Sequence, residues 1–328
     1  MKAVFIKEFG GPENLEFREV PDPPNPTGTQ VLVRVKAAGL NRADLIQRRG
    51  NYPPPTGYSP NIPGLEFAGE VAEVGDAVTA FHAGDRVFGI VAGEAQAEFV
   101  LTDERVLAKI PDNLSFTEAA AVPEVFITAH DAIFTLAELK QGEIILIHAV
   151  GSGVGLAGLQ LAKAAGATVF GTSRTEDKLE KCRAFGLDEG IVTAKPPEFA
   201  DIVKEKTNGK GVDVILDLVG AAYFQQNLDS LALKGRLVLV GLTAGSTAEF
   251  NLGIALYKRL KIIGTALRAR SIGEKADATR RFAKDVIPLL TDSKVRPNVD
   301  KIFPVEDVLQ AHEYLESNES FGKVVLEF

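Results

Sequence analysis

The sequence predicts an α/β protein in which a doubly wound parallel-sheet domain is set between two parts of a β-rich one. Three observations predict it. From Ile144 onward strand-like and helix-like runs alternate: EIILIHA, GVGLAGLQLAKAAG, TVFGTS, EDKLEKCRAFG, DVILDLV, a helical stretch, GRLVLVG and LKIIGTA. Such alternation is the signature of βαβ units and a parallel sheet. Before about residue 120 the chain carries only short apolar runs (MKAVFI, VLVRVKAAG, FAGEVAEVG, DRVFGIV, AEFVL) punctuated by Gly, Pro and Asp, the pattern of a β-rich domain. After about Thr265 the alternation stops, and helical segments at 274–290 and 305–318 lead to a last strand, KVVLEF. We read that tail as a return to the first domain, giving boundaries of 1–122, 123–265 and 266–328.

Individual elements follow from local pattern. LNRADLIQRRG reads as a short helix between the Pro-rich loops PDPPNP and NYPPPTGYSPNIP. The helix over 153–166 rests on apolar Val154, Leu156, Leu159, Leu161 and Ala162, with Gly166 as its C-cap. No internal repeat is present. The apolar stretch FNLGIALY, within residues 246–265, reads as part of the last strand of the parallel sheet, where an uncovered edge invites pairing with a second copy.

Composition narrows the function classes. The chain has 328 residues, 45% of them hydrophobic and 24% charged, enough for two cores without disulfides or metals. Lys and Arg number 36 against 44 Asp and Glu, a net charge of −8. That balance lacks the basic footprint of a nucleic-acid or anionic-membrane binder. The one cysteine, Cys182 in KLEKCRAFG, reads as a packed helix residue and fits a reducing cytoplasmic compartment. MKAVFIKEFGG lacks the apolar core of a signal peptide, and no stretch is expected to reach the length of a membrane span.

The most informative segment is EIILIHAVGSGVGLAGLQLAKAAG. A strand ends at His148, a glycine-rich turn follows, and a helix begins near Gly153. Glycines let backbone approach a pyrophosphate, and a helix N-terminus offers unpaired N–H groups. The spacing departs from the strict dinucleotide fingerprint: with Gly155 as its third position, Val150 and Ser152 fill the first two. The next strand, TVFGTSRTEDK, ends in Thr172, Ser173 and Arg174, with Lys178 one helical turn on. An NAD site usually places a carboxylate there for the ribose hydroxyls. A hydroxyl and two cations suit the 2′-phosphate of NADPH instead.

With these residues in hand, the whole chain resembles the zinc-free quinone oxidoreductases of the medium-chain dehydrogenase/reductase superfamily. The motifs are GGPENLEFREVPDP, the text at 38–55, PGLEFAGEV, HAVGSGVG, LVLVGL, KRLKIIGTALRARS and FGKVVLEF. The pattern is most similar to the p53-inducible quinone oxidoreductase-like branch and is related to zeta-crystallin. The resemblance implies a GroES-like catalytic domain and a Rossmann domain, with the active site in the cleft between them. It implies that Ser152, Gly153, Val154 and Gly155 lie against the pyrophosphate, that Ser173 and Lys178 hold the 2′-phosphate, and that Asn41 and Thr128 lie by the nicotinamide. Leu242, Leu267 and Ser320 fall in segments that line the cofactor site. A tyrosine that the family often uses at the adenosine phosphate is replaced near Thr193.

Zinc-dependent relatives resemble the chain in outline, but their ligand positions correspond here to Asn41, Leu65 and a residue near Glu124. Glu66 alone does not make a tetrahedral Cys/His site. The four histidines (His82, His130, His148, His312) lack ligand spacing and read as surface or satisfied polar residues. No metal is therefore expected. A quinone or enone acceptor is electron-poor and needs less help than an alcohol. Candidate donors to its developing oxyanion are Asn41 and Tyr52; Arg42 and Asp44 read as an ion pair bracing the helix. Direct hydride transfer from NADPH to a quinone is the leading expectation, in a homodimer. Reduction of an activated C=C bond is the alternative within enzymes, and a non-catalytic NADPH-binding or RNA-binding protein is the alternative outside them.

Overall fold

The computed structural model describes residues 1–193 and 196–328. The chain opens with β1 (Lys2–Ile6), β2 (Leu15–Glu19), the long β3 (Gln30–Leu40) and helix α1 (Arg42–Arg48). β4 (Glu66–Val74), β5 (Arg86–Ile90), β6 (Phe99–Asp103) and β7 (Leu107–Lys109) precede α2 (Phe116–Ala119) and α3 (Pro123–His130). Strand and helix then alternate through β8 (Ile144–Ile147), α4 (Gly153–Ala164), β9 (Thr168–Ser173), α5 (Glu176–Arg183), β10 (Glu189–Val192), α6 (Ala200–Lys206), β11 (Val212–Asp217), α7 (Phe224–Ser230), β12 (Leu231–Leu239), α8 (Leu252–Lys258) and β13 (Lys261–Gly264). α9 (Ile272–Asp285), α10 (Ile287–Thr291), β14 (Val299–Pro304), α11 (Val308–Ser317) and β15 (Lys323–Glu327) complete it. Two compact units result, one of residues 1–127 with 267–328 and one of residues 128–266.

In the unit 128–266 six parallel strands lie in the order β10-β9-β8-β11-β12-β13. Leu146, Phe170, Ile215 and Leu237 bury its centre, because a parallel sheet covered on both faces needs apolar side chains on both. Strand order reverses at β8/β11, so chain direction switches just past the carboxyl ends of those strands. Open α/β sheets bind ligands at such a point.

In the other unit a seven-stranded sheet runs β14-β15-β3-β4-β5-β7, with β6 also pairing with β3; β1 and β2 form a separate ribbon. All pairs in the larger sheet are antiparallel except β14 with β15. Inward residues of alternating strands, among them Val33, Val35, Phe67, Val87 and Val100, form its core. The last strand returns as expected: Val324 stands opposite Leu40. Lys323 therefore arrives beside Asn41.

Four expectations need correction. FNLGIALY is largely the helix α8, and the edge strand is β13; the side chain of Asn251 caps the helix by accepting from Gly253 N at 2.8 Å. The helix expected over 274–290 is two, α9 and α10, broken at Val286 ahead of Pro288, whose ring cannot continue the α9 hydrogen-bond ladder. Residues 116–136 do reach the length and apolarity of a membrane span, but 78% of that window is buried within the fold, as expected of a core element. His312 is buried and only half satisfied: its Nδ1 lies 3.5 Å from an Arg48 guanidinium nitrogen, while its Nε2 has no partner among the described residues. Strands β2, β10 and β14 have no counterpart in the sequence reading; each is short and flanked by loops without a hairpin signal.

Candidate active site

Two groups of residues carry chemistry, one in each unit. In the unit 128–266 the turn from β8 to α4 holds Ala149 in the left-handed region, at φ 48°. Alanine there is strained by about 1–2 kcal/mol, and such strain concentrates at binding turns. The conformation bends the chain so that Ser152 caps α4, its hydroxyl accepting from Gly155 N at 3.2 Å. A Cβ on Gly155 would stand 2.5 Å from Ala149 O, which is why this position admits only glycine. Among the described residues the N–H groups of Gly153 and Val154 make no backbone hydrogen bond, and both residues are partly exposed. They form an open donor pair at the positive end of a helix dipole.

At the end of β9, Ser173 is buried and its carbonyl accepts from Thr193 N at 2.9 Å and from the Thr193 hydroxyl at 3.2 Å. Arg174 is exposed, Lys178 is half-buried one turn into α5, and no carboxylate intervenes before Glu176. Asp177 is engaged with Lys181 at 2.7 Å. Beneath this edge lies a buried polar chain. The Thr172 hydroxyl meets His148 Nδ1 at 2.9 Å, His148 Nε2 meets Asn227 Oδ1 at 2.6 Å, and Asn227 Nδ2 donates to Asp217 at 2.9 Å. Burial lowers the His148 pKa, so the neutral ring takes the Thr172 proton and passes its own to Asn227. The chain ties the carboxyl ends of β8, β9 and β11 together.

In the other unit, α1 begins at Asn41, whose N–H donates to Asp44 at 2.8 Å. Asp44 also accepts from Gly64 N at 3.1 Å. The Asn41 amide donates to Glu66 Oε1 at 2.9 Å and to Gly39 O at 3.3 Å, while its oxygen accepts from Lys323 Nζ at 2.7 Å. Lys323 Nζ also donates to Leu40 O and lies against Glu66 Oε1, each at 2.6 Å. All three ammonium protons are thus placed on oxygens. Glu66 Oε2 accepts from Glu124 N at 2.8 Å, which anchors the start of α3. The carboxylate fits because Gly39 has no side chain: a Cβ there would come within 2.4 Å of Glu66 Oε1. Nearby, Arg268 donates to Tyr52 O at 2.8 Å, Ala92 O at 2.7 Å and Gln47 Oε1 at 2.5 Å, and stacks 4.8 Å over the Tyr52 ring.

This chain matches the alcohol dehydrogenase GroES-like domain family over residues 27–132 and the zinc-binding dehydrogenase family over residues 153–284. It is 33% identical to rat quinone oxidoreductase, with 99% of this chain and 97% of the relative aligned. The chain belongs to the quinone oxidoreductase branch of the medium-chain dehydrogenase/reductase family. Among solved structures it is similar to Escherichia coli quinone oxidoreductase complexed with NADPH, at TM-score 0.89 and 31% identity with all of both chains covered. The CurK enoyl reductase is similar at TM-score 0.88 and 26% identity, over 99% of this chain and 98% of that one.

The residues singled out from the sequence lie as follows in the structure. Ser152, Gly153, Val154 and Gly155 share the α4 turn, and Ser173, Arg174 and Lys178 share the β9 edge. Thr128 is half-buried on α3, and Leu242, past the end of β12, is 53% exposed. Leu267 and Ser320 are buried, next to Arg268 and three residues before Lys323 respectively. Asp44 is not paired with Arg42, which reaches Asn318 instead; capping Asn41 and Gly64 is what holds the Asp44 carboxylate. Near Thr193, where the family tyrosine is missing, the Tyr223 hydroxyl donates to the Thr193 hydroxyl at 2.8 Å.

Sequence reasoning missed Lys323, Arg268 and Lys275. Lys323 and Arg268 stood inside quoted motifs, but nothing in spacing tells a buried cation from a solvated one. Lys275 could have been found: on α9 it aligns with Ala278, Thr279 and Phe282 on the buried face, a lysine where the 3.6 period calls for an apolar residue.

The carboxyl cluster should make stability depend on pH. Burial, reinforced by the neighbouring Glu66 charge, pushes the Glu124 carboxyl up to about 8, and burial pushes Asp44 up to about 6. Both fold with a proton held more tightly than in the unfolded chain, so stability is full at low pH and falls as pH rises through these values. Urea unfolding should show a decline between about pH 5 and pH 8 that flattens in Glu124→Gln. An unchanged slope in that variant would show that Glu124 is not the titrating group.

Proposed function

We propose that this protein is a zinc-free NADPH:quinone oxidoreductase. The observation that carries the zinc-free reading is the Lys323 ammonium, which already occupies the oxygens of Asn41 and Glu66 at the centre of the polar cluster. A divalent cation would have to displace that buried charge, and Asn41, Leu65 and Glu124 offer neither thiolate nor imidazole to hold it. Full-length similarity to quinone oxidoreductases supports the acceptor class.

The residues present fit NADPH. The open N–H groups of Gly153 and Val154 suit a pyrophosphate, and Ser173, Arg174 and Lys178 suit a 2′-phosphate better than a bare ribose. Bound NADPH supplies a hydride to the acceptor. The chain's own part is to align the acceptor and stabilise charge on its oxygen. The Asn41 amide is committed to Glu66 and Gly39, so its role in this reading is to fix the start of α1, with the Thr128, Leu242, Leu267 and Ser320 segments shaping the cofactor site. Tyr52 is the open donor: among the described residues its hydroxyl makes no hydrogen bond, and Arg268 fixes its ring.

NADPH oxidation against a panel of quinones and enones tests the reading, run with and without a chelator. Turnover should survive chelation. Tyr52→Phe should lower quinone turnover by roughly tenfold, toward an upper bound of about 10², with NADPH binding unchanged, and Asn41→Ala should lower it less. Loss of activity on chelation, or a Tyr52→Phe variant as fast as wild type, would refute the respective part. The likeness to the CurK enoyl reductase favours one second reading, reduction of an activated C=C bond, which the enone half of the panel separates.

The reading places the enzyme in the cytoplasm as a homodimer. Leu252, Leu256 and Tyr257 of α8 are 72%, 71% and 81% exposed beside the edge strand β13, an apolar surface that pairing between two copies would cover. Light scattering at micromolar concentration should give twice the chain mass; a monomer would decide against it.

A further inference from the structure

The turn that opens α4 lacks the first glycine of the usual dinucleotide pattern. Val150 stands there instead, and the residue that takes the left-handed conformation is Ala149, at φ 48°. An alanine left to itself leaves that region for the right-handed or extended one. Something must therefore hold it, and both of its neighbours are held by one residue. Val150 N donates to Thr172 O at 3.0 Å, and the Thr172 hydroxyl meets His148 Nδ1 at 2.9 Å. Val150 also packs so closely on β9 that a Cβ at Gly171 would stand 2.7 Å from its Cγ1. Thr172 thus grips the chain immediately before and immediately after the strained residue.

The grip has a single geometry. Asp217 Oδ1 accepts from Val219 N at 2.7 Å and from Gly220 N at 3.0 Å, and its Oδ2 accepts from Asn227 Nδ2 at 2.9 Å. That leaves Asn227 Oδ1 to accept from His148 Nε2, at 2.6 Å. Nδ1 of the ring is then the acceptor and the Thr172 hydroxyl the donor. Phe199 and Tyr223 lie against the ring, each with its centroid 4.9 Å away. Thr172, His148, Asn227 and Asp217 are all fully buried, whereas the β8 residues that lead to His148 are the apolar Ile145, Leu146 and Ile147. As plain packing, four buried polar side chains are costly. Fully satisfied, they fix one arrangement and exclude others. What they fix is the His148 ring, and through it the start of the turn.

We propose that Thr172 and His148 are positioning residues for the cofactor, a clamp that keeps Ala149 left-handed and so holds the Gly153 and Val154 N–H groups where a pyrophosphate meets them. This rests on the NADPH reading and deepens it. A turn that relaxes at Ala149 has to be restored by the ligand, and apparent affinity falls by the fraction of molecules still competent to bind. The clamp therefore acts on every dinucleotide through its pyrophosphate. Lys178, by contrast, reads the 2′-phosphate alone.

The test measures dissociation constants of the full-length protein for NADPH, NADH and adenosine 2′-monophosphate, which carries the 2′-phosphate and no pyrophosphate. Thr172→Val keeps the side-chain shape and removes the hydroxyl. It should weaken NADPH and NADH alike, by roughly five- to tenfold, and leave adenosine 2′-monophosphate as before. KM for NADPH should rise by the same factor while kcat at saturation holds. Thr172→Ser, which keeps the hydroxyl, should retain most of the affinity. The double variant Thr172→Val with Ala149→Gly should recover it, because glycine occupies the left-handed region without strain. Should Thr172→Val not fold, His148→Phe breaks the same hydrogen bond from the other side and takes its place. Dinucleotide affinity unchanged in Thr172→Val, no recovery in the double variant, or equal weakening of adenosine 2′-monophosphate would overturn the clamp and leave the network a brace of the fold. A wild type that binds NADH but not adenosine 2′-monophosphate would refute the NADPH assignment alone, and the same variants on NADH would then decide the clamp. A wild type that binds neither dinucleotide would overturn both.

Discussion

Lys323→Met is expected to lower the unfolding free energy by about 3–5 kcal/mol, the range found when one partner of a buried ion pair is removed. Methionine matches the lysine stem in length and apolarity, so the loss comes from charge and not from a void. Glu66 is fully buried and would keep only its hydrogen bonds from Asn41 Nδ2 and Glu124 N. Neither neutralises a carboxylate. The double variant Lys323→Met with Glu66→Leu should recover most of the loss, because a buried pair replaced by apolar residues of similar volume is often neutral in stability. Urea unfolding of the two single variants and the double variant measures the coupling. A single-variant loss below about 1 kcal/mol would place the pair among weakly coupled surface bridges and remove the basis for reading Lys323 as the resident cation.

Ser173→Asp should lower the NADPH preference by the largest factor of any single change at the cofactor site, and reverse it if the carboxylate engages the ribose hydroxyls. A carboxylate at the end of β9 repels a 2′-phosphate and accepts from ribose hydroxyls. Lys178→Ala is the milder companion. A hydrogen bond to a charged group contributes about 1.5–3 kcal/mol, less when partly exposed, so its removal should raise the NADPH dissociation constant roughly tenfold. NADH, lacking the phosphate, should bind almost as before. Fluorescence titration of both cofactors against wild type and variants provides the measurement. Equal weakening of both by Lys178→Ala would mean that the residue supports α5 and reads no phosphate. A wild type that prefers NADH would refute the cofactor assignment altogether.

The fold class was legible because its signals are local and repeated. Each strand of the parallel sheet from β8 to β13 except β10 is carried by a short apolar run, and the α4 turn announces itself by its glycines. The C-terminal return was legible too, since the alternation ends abruptly after Thr265. What stayed hidden depends on pairing across long separations. Lys323 meets Asn41 only because β15 pairs with β3, and no spacing in the sequence encodes that neighbour. Asn41 therefore read as an open donor when its amide is committed on both sides. Ala149 was hidden for another reason: the turn takes a left-handed residue where the sequence offers no glycine, so the site is built partly on strain that composition cannot display. FNLGIALY misled because an apolar run of that length suits a helix and a strand equally well, and the capping Asn251 decided it.

The placement of β15 has a consequence for how the polypeptide becomes a protein. That strand lies between β14 and β3, not at a margin of its sheet. On the ribosome, the sheet begun by β3 keeps an open slot until residues 323–327 emerge, whereas the six parallel strands of the intervening unit are all available by residue 264. The chain that starts first thus finishes last, with the inserted unit able to mature while its host waits. Loss of residues 323–327 would leave β3 and β14 without their shared neighbour and Glu66 without its counter-charge, a defect at the centre of the sheet.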